Sequence, residues 1–323
     1  RDYPGSPFWA HFQTTDVHEE GDSYDPVAPF AGLFISPEAQ KTWLEWNARL
    51  DEEGGHGVYS EAHEKTGIDR VEFFQLLQRM YDQGMAHQDY QLGRFIERLK
   101  ANGDWENTLL IIAADHSTEA AMDDMGVAVQ DVLPPQWTYA LFRPTVSRVP
   151  LIVVWPGRIE GGRRFSEPVS MIDVLPTVLD LLDMPPPRAL QGQSLAPLLL
   201  GREGWEPRPV IFDEFWVDSA TGEIQGLIEV VDGRWGASLW VGPPHEEEER
   251  RRPVPLLLFD LWNDYYCLEP VNDTRPELVE KYTAFLEEQW EAHQALAQQF
   301  TPGADVELTP EQLETLRALG YIQ

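Results

Sequence analysis

Between residues 68 and 100, apolar side chains recur at helical spacing, among them Val71, Phe74, Leu77, Tyr81, Met85, Leu92, Phe95, Ile96 and Leu99, which predicts one long helix. Asn102-Gly103 supplies its stop, because glycine enters the left-handed conformation without a Cβ clash. A continuous apolar run at residues 109–112 follows, bounded by polar residues, and reads as a short strand buried on both faces as inside a parallel sheet. Helix, short loop and strand make half of a βαβ unit. Two further core strands are expected: one in the aromatic run at residues 8–15, and one at residues 149–157, closed by Pro156-Gly157. Asp173 is placed to cap a helix with Pro176 in its first turn and an apolar side of Val174, Leu175, Val178, Leu179 and Leu182, and the prolines at 185–187 stop it.

The rhythm changes beyond a stretch rich in glycine, proline and charge at residues 201–208. Short β-prone runs at residues 210–215, 227–231, 235–241 and 256–261, separated by turn signals such as Asp232-Gly233, predict a small antiparallel sheet. A polar amphipathic helix is expected at residues 276–300 and a terminal one at 309–321, while glycines 54, 55 and 57 and the charge run at 246–252 read as loops. The chain therefore divides into a larger α/β part, residues 1–205, and a smaller C-terminal α+β part, residues 206–323.

Composition narrows the function classes. A formal net charge of −31 argues against nucleic acid or an anionic membrane as partner, since phosphates would be repelled at every approach. No apolar run approaches the length that crosses a bilayer. Lys41, Lys65, Lys100 and Lys281 are the only lysines, and such an acidic, lysine-poor surface points to a salt-adapted source. Cys267 is the sole cysteine, which excludes an internal disulfide and a thiolate metal cluster, and it reads as a structural thiol. The sequence begins at Arg1, without a methionine or a charged-then-apolar leader pattern, so the expectation is that something precedes it.

The chemistry sits where strands end. Asp115 and His116 stand side by side after the apolar run, and open α/β sheets collect their ligands at the carboxyl ends of strands. A carboxylate beside an imidazole offers oxygen and nitrogen to one divalent cation, although the same dipeptide also serves as a helix cap or turn. His18, in Asp16-Val-His18 at the end of the first aromatic run, is either a loop histidine or a site residue.

Several patterns together resemble the sulfatase branch of the alkaline phosphatase superfamily. Asn107-Thr-Leu followed by Ala114-Asp-His116 is similar to the family's strand ending in Asp-His-Gly, and Arg148-Val-Pro-Leu-Ile-Val-Val-Trp-Pro-Gly157 to its Arg-Val-Pro-Leu-Ile strand. Residues 170–182 with Pro176-Thr177 resemble the helix that follows, Gln191-Gly-Gln-Ser-Leu195 the Gly-x-Ser-Leu turn, Val231-Asp-Gly-Arg-Trp235 a strand pair of the C-terminal subdomain, and Leu258-Phe-Asp-Leu261 the strand after it. Asp16-Val-His18 before Tyr24 is similar to the Asp-Pro-His-x-Pro-Tyr segment. These patterns keep the family's order over almost the whole chain.

The resemblance implies an α/β fold with a mixed, mostly parallel sheet flanked by helices and a small C-terminal antiparallel sheet plus helix. It implies a sulfuric ester hydrolase acting on a small-molecule or glycan sulfate ester, in the periplasm or outside the cell. Asp115 and His116 would ligate a divalent metal, calcium first, with magnesium, manganese and zinc compatible, and His18 would contact the substrate's anionic group. The family's Asp-Asp strand and its Cys-x-Pro-x-Arg nucleophile motif do not occur here; Cys267 is followed by Leu268-Glu269-Pro270. The chain thus looks like the C-terminal portion of a sulfatase and is expected to be inactive as given. Gln136 or Trp137 stands near the place of the family's anion-binding Lys or His, and Ser117 replaces the glycine after Asp-His. A phosphatase or phosphodiesterase of the same superfamily, or a non-catalytic module that kept the fold, remain as alternatives.

Overall fold

The computed structural model describes residues 7–14, 30, 32–53, 62–116, 147–186, 190–217, 222–242, 256–299, 309 and 313. The expected loops around Gly54 and at 246–252, and nearly all of the terminal helix, lie outside the described residues, as do His18, Ser117, Gln136 and Trp137.

Three helices, α1 (Pro37–Glu52), α2 (Ala62–Thr66) and α3 (Arg70–Asn102), form the first body of structure. The long helix has the expected ends: the Asp69 carboxylate accepts from the Glu72 amide at 2.8 Å, and Gly103 closes it at φ 77°. Its amino-terminal half buries Phe73, Phe74, Leu77 and Met80 against Trp43 and Leu50 of α1. The carboxyl-terminal half carries Tyr90 and Phe95 exposed. Buried Gln83 of α3 ties in the chain before α1, its carbonyl accepting the amides of Gly32 and Leu33 at 2.9 and 3.1 Å.

Strands β1 (Leu110–Ala113) and β2 (Leu151–Val154) pair antiparallel, Leu110 opposite Val154 and Ala113 opposite Leu151. This corrects the reading of residues 109–112 as a strand with parallel neighbours and both faces buried: β1 is half-buried, and Ile152 of β2 is exposed. An unbroken apolar run reports affinity for an interior, and the direction of the neighbouring strand leaves no mark in it. The aromatic segment at 7–14 forms no strand either; Phe8, Trp9 and Phe12 are exposed and the segment touches α3 through Phe12 against Phe95. β-Propensity there describes fitness for a pleated, half-buried surface, and among the described residues no strand pairs with it.

Helix α4 (Val174–Leu181) and the single turn α5 (Ala196–Leu199) follow. Beyond them β3 (Val210–Val217), β4 (Ile224–Asp232), β5 (Trp235–Val241) and β6 (Leu256–Asp260) make an antiparallel meander in chain order, the sheet that the turn signals foretold. Gly233 turns β4 into β5 at φ 57°. Helix α6 (Pro276–Ala297) lies across β4, β5 and β6, and its Tyr282 and Leu286 close a core with Ile228, Val230, Ala237, Leu239, Leu256 and Leu258. Cys267 is buried in a second cluster with Leu257 and Phe259. Among the described residues no helix is long and apolar enough to cross a membrane.

Candidate metal and anion site

Asp115 and His116 emerge two and three residues past the end of β1, both exposed. The apolar strand fixes their place and the chain leaves the sheet at Ala114. Asp115 Oδ1 accepts the backbone amide of His116 at 3.0 Å, a local bond that orients the carboxylate and leaves its second oxygen for another partner. Oxygen and imidazole nitrogen suit a divalent cation, so the donor chemistry fits; two side chains are an incomplete ligand set. Among the described residues no group of three or more His, Cys, Asp or Glu is arranged to hold a metal.

The antiparallel register adds what the sequence did not show. Because Ala113 lies opposite Leu151, the lead-in to β2 with exposed Arg148 and Pro150 reaches the same end of the ladder as Asp115 and His116. A cation is thus placed at that end by pairing alone, a signal legible only once strand direction is known.

A buried polar junction gathers around Asp173, ahead of α4. The Asp173 carboxylate is almost wholly buried; it accepts the amides of Ser170 at 2.9 Å and Gln193 at 2.7 Å and pairs with Arg208. Thr177 donates to the Asp173 carbonyl at 2.6 Å and accepts the Leu195 amide at 2.8 Å. Gly192 lies so close to Ile172 that a Cβ there would come within 2.0 Å of its carbonyl oxygen. The expected helix cap is therefore a correction in detail: Asp173 precedes α4, but its carboxylate makes no cap bond to that helix and serves the preceding turn, the 191–195 segment and Arg208 instead.

In the C-terminal sheet, the Arg234 guanidinium holds the Asp260 carboxyl well below the ordinary range, at about 2. Burial first, then the hydrogen bond to Asp232, push the Tyr282 hydroxyl up to about 12.

The sulfatase family model matches residues 4–184, more than half of the chain, and the chain belongs to the sulfatase family. A second model, the C-terminal region of N-sulphoglucosamine sulphohydrolase, matches residues 140–236. Human arylsulfatase D is 28% identical over 143 residues, 41% of this chain and 23% of that protein. Arylsulfatase K of Danio rerio is 32% identical over 133 residues, 40% of this chain and 23% of its own. The solved phosphonate monoester hydrolase of Agrobacterium radiobacter is 26% identical, covers 75% of this chain and 45% of its own, and superposes with a TM-score of 0.50. A solved 2-O GAG sulfatase, 17% identical with a TM-score of 0.56, covers 94% of this chain and 57% of its own and shares the fold. The matched part is less than two thirds of each of these proteins.

Proposed function

We propose that the protein carrying this chain is a metal-dependent sulfuric ester hydrolase, with Asp115 and His116 as ligands of a divalent cation, calcium first, and His18 as a contact to the ester's anionic group. The observation that carries the reading is the family match over residues 4–184, which encloses Asp115 and His116 at the carboxyl end of β1. A bound divalent cation supplies charge to offset the oxygens of the transferring group. The Asp115 carboxylate accepts the His116 amide through one oxygen and offers the other, and the imidazole beside it adds a nitrogen donor. The substrate class proposed is a sulfate ester of a small molecule or a glycan.

A second reading is hydrolysis of a phosphonate or phosphate monoester, favoured by the 26% identity to the Agrobacterium radiobacter enzyme over 75% of this chain. The intact protein assayed on aryl sulfate and aryl phosphonate monoesters separates the two. Calorimetric titration with calcium, and separately with manganese, tests the site itself. Asp115→Asn removes a bond and a charge and is expected to weaken metal binding by roughly tenfold or more. If Asp115 only orders the turn, affinity stays the same and the change costs about 1 kcal/mol of stability, which sinks the assignment.

A further inference from the structure

The ladder of β1 and β2 brings a further charged group to the end where Asp115 and His116 emerge. Carried on past its last pair, the register that sets Ala113 opposite Leu151 brings Val149 level with Asp115 and Arg148 level with His116. The lead-in on the β2 side is stiff. Pro150 has a fixed φ and disfavours the helical region at Val149, and Arg148 lies at most about 11 Å along the chain from Leu151. On the β1 side the chain bends at Asp115, whose carboxylate takes the next amide.

Elsewhere the fold uses its arginines internally. Arg208 pairs with Asp173 and Arg234 with Asp260, while Arg163 and Arg49 donate to the carbonyls of Leu199 and Thr66, each at 3.0 Å. Arg148 is not spent in this way: among the described residues neither a carboxylate, that of Asp115 included, nor a carbonyl takes its guanidinium.

We infer that Arg148 is the cationic contact for the anionic group of the ester, alongside the divalent cation assigned to Asp115 and His116. The inference rests on that reading of the end of β1 and adds to it a residue from the opposite strand. A sulfate ester carries one negative charge shared by three terminal oxygens. A protein of net charge −31 repels such a group, so binding needs positive charge close to it. Salt at about 0.1 M limits the reach of each charge to about 10 Å, which leaves the decision to groups at this end of the ladder. Asp115 offsets half the charge of a divalent cation, and Arg148 restores what Asp115 removes. A guanidinium also suits the shape: its planar fork meets two oxygens of a tetrahedral anion, and its weak hydration makes the exchange of water for those oxygens cheap.

The test titrates the intact protein with sodium sulfate by calorimetry at constant ionic strength, once with calcium and once with a chelator. Sulfate is expected to bind at millimolar concentration. Arg148→Ala should weaken it by roughly tenfold or more, and Arg148→Lys by less, because the charge stays and the fork is lost. Circular dichroism and calcium affinity stay unchanged in both variants. Arg158→Ala, at the other end of β2 and 4.9 Å from the Trp155 ring, should bind sulfate like the wild type. Equal sulfate affinity in the wild type and in Arg148→Ala overturns the proposal, as does failure of the wild type to bind sulfate at about 10 mM in either condition. Higher calcium affinity in Arg148→Ala with sulfate binding unaltered also overturns it, since Arg148 would then serve Asp115 alone. The metal reading fails separately, when Asp115→Asn leaves calcium affinity unchanged, and a loss of sulfate binding in Arg148→Ala with chelator present would still support the contact.

Discussion

Asp173 shows how much one side chain can organise. Its carboxylate ends the needs of two backbone amides and an arginine drawn from positions 3, 20 and 35 residues away. Asp173→Ala would leave the Ser170 and Gln193 amides without that acceptor in a place water reaches poorly. The expected loss is about 2–4 kcal/mol by urea denaturation, against less than about 1 kcal/mol for Asp180→Ala on the exposed side of α4. The sequence showed an aspartate before an apolar helix and nothing more, because a cap is a local pattern whereas bonds to residues far along the chain are products of folding. The place of Asp115 and His116 just past a strand was legible for the same reason reversed: they are adjacent, and the strand before them is written in the residues that precede them. At Tyr282 the consequence is a pH dependence. Its hydroxyl, ordinarily ionising near 10, is held neutral to about 12 in the folded state, so the stabilisation is complete below pH 10 and is lost as pH rises toward 12. The raised Lys281, bonded to the same Asp232 carboxylate, works in the same direction. Tyr282→Phe should cost about 1 kcal/mol at neutral pH and show a shallower fall in melting temperature between pH 10 and 12.

Elements with self-contained signals came through the sequence nearly intact. The β5 strand matches the expected residues 235–241, and α3 runs to the expected glycine, because a β-prone run bounded by turn signals, helical periodicity and a left-handed stop are all written locally. The segment at 7–14 and the direction of β1 against β2 did not come through, since both depend on which neighbour is at hand. Close approach between elements is equally silent in sequence, and Gly192 is its sharpest case. The Cβ of Gly192→Ala would collide with the Ile172 carbonyl carbon at 2.6 Å and the Pro176 ring at 3.0 Å. Neither atom belongs to a flexible side-chain end, so the 191–195 segment must move off α4, at an expected cost of about 3 kcal/mol. Gly93→Ala, in the open middle of α3 with nothing within 4 Å of the new carbon, should act in the opposite sense and stabilise by about 1 kcal/mol. Chemical denaturation of both variants checks the pair, and destabilisation by Gly93→Ala would contradict the open face assigned to that helix.

At the scale of the whole molecule, charge dominates. The net charge of −31 makes the compact state repel itself, and ion pairs such as Lys41 with Glu45 or Lys100 with Glu97 lie too exposed to offset much of it. Raising sodium chloride from about 0.1 to 1 M shortens the screening length from about 10 to 3 Å, so the melting temperature should climb steadily with salt. Sucrose at matched osmolality separates screening from general exclusion, and a melting temperature indifferent to sodium chloride would remove charge repulsion as the limiting term. One further property follows from Cys267. It is the chain's only thiol, and it is sealed between β6 and the turn that carries Trp262. A thiol reagent can modify this chain at one place, and only when that turn lifts from the sheet, so its labelling rate there is a built-in clock for local opening of the C-terminal half that needs no engineered probe.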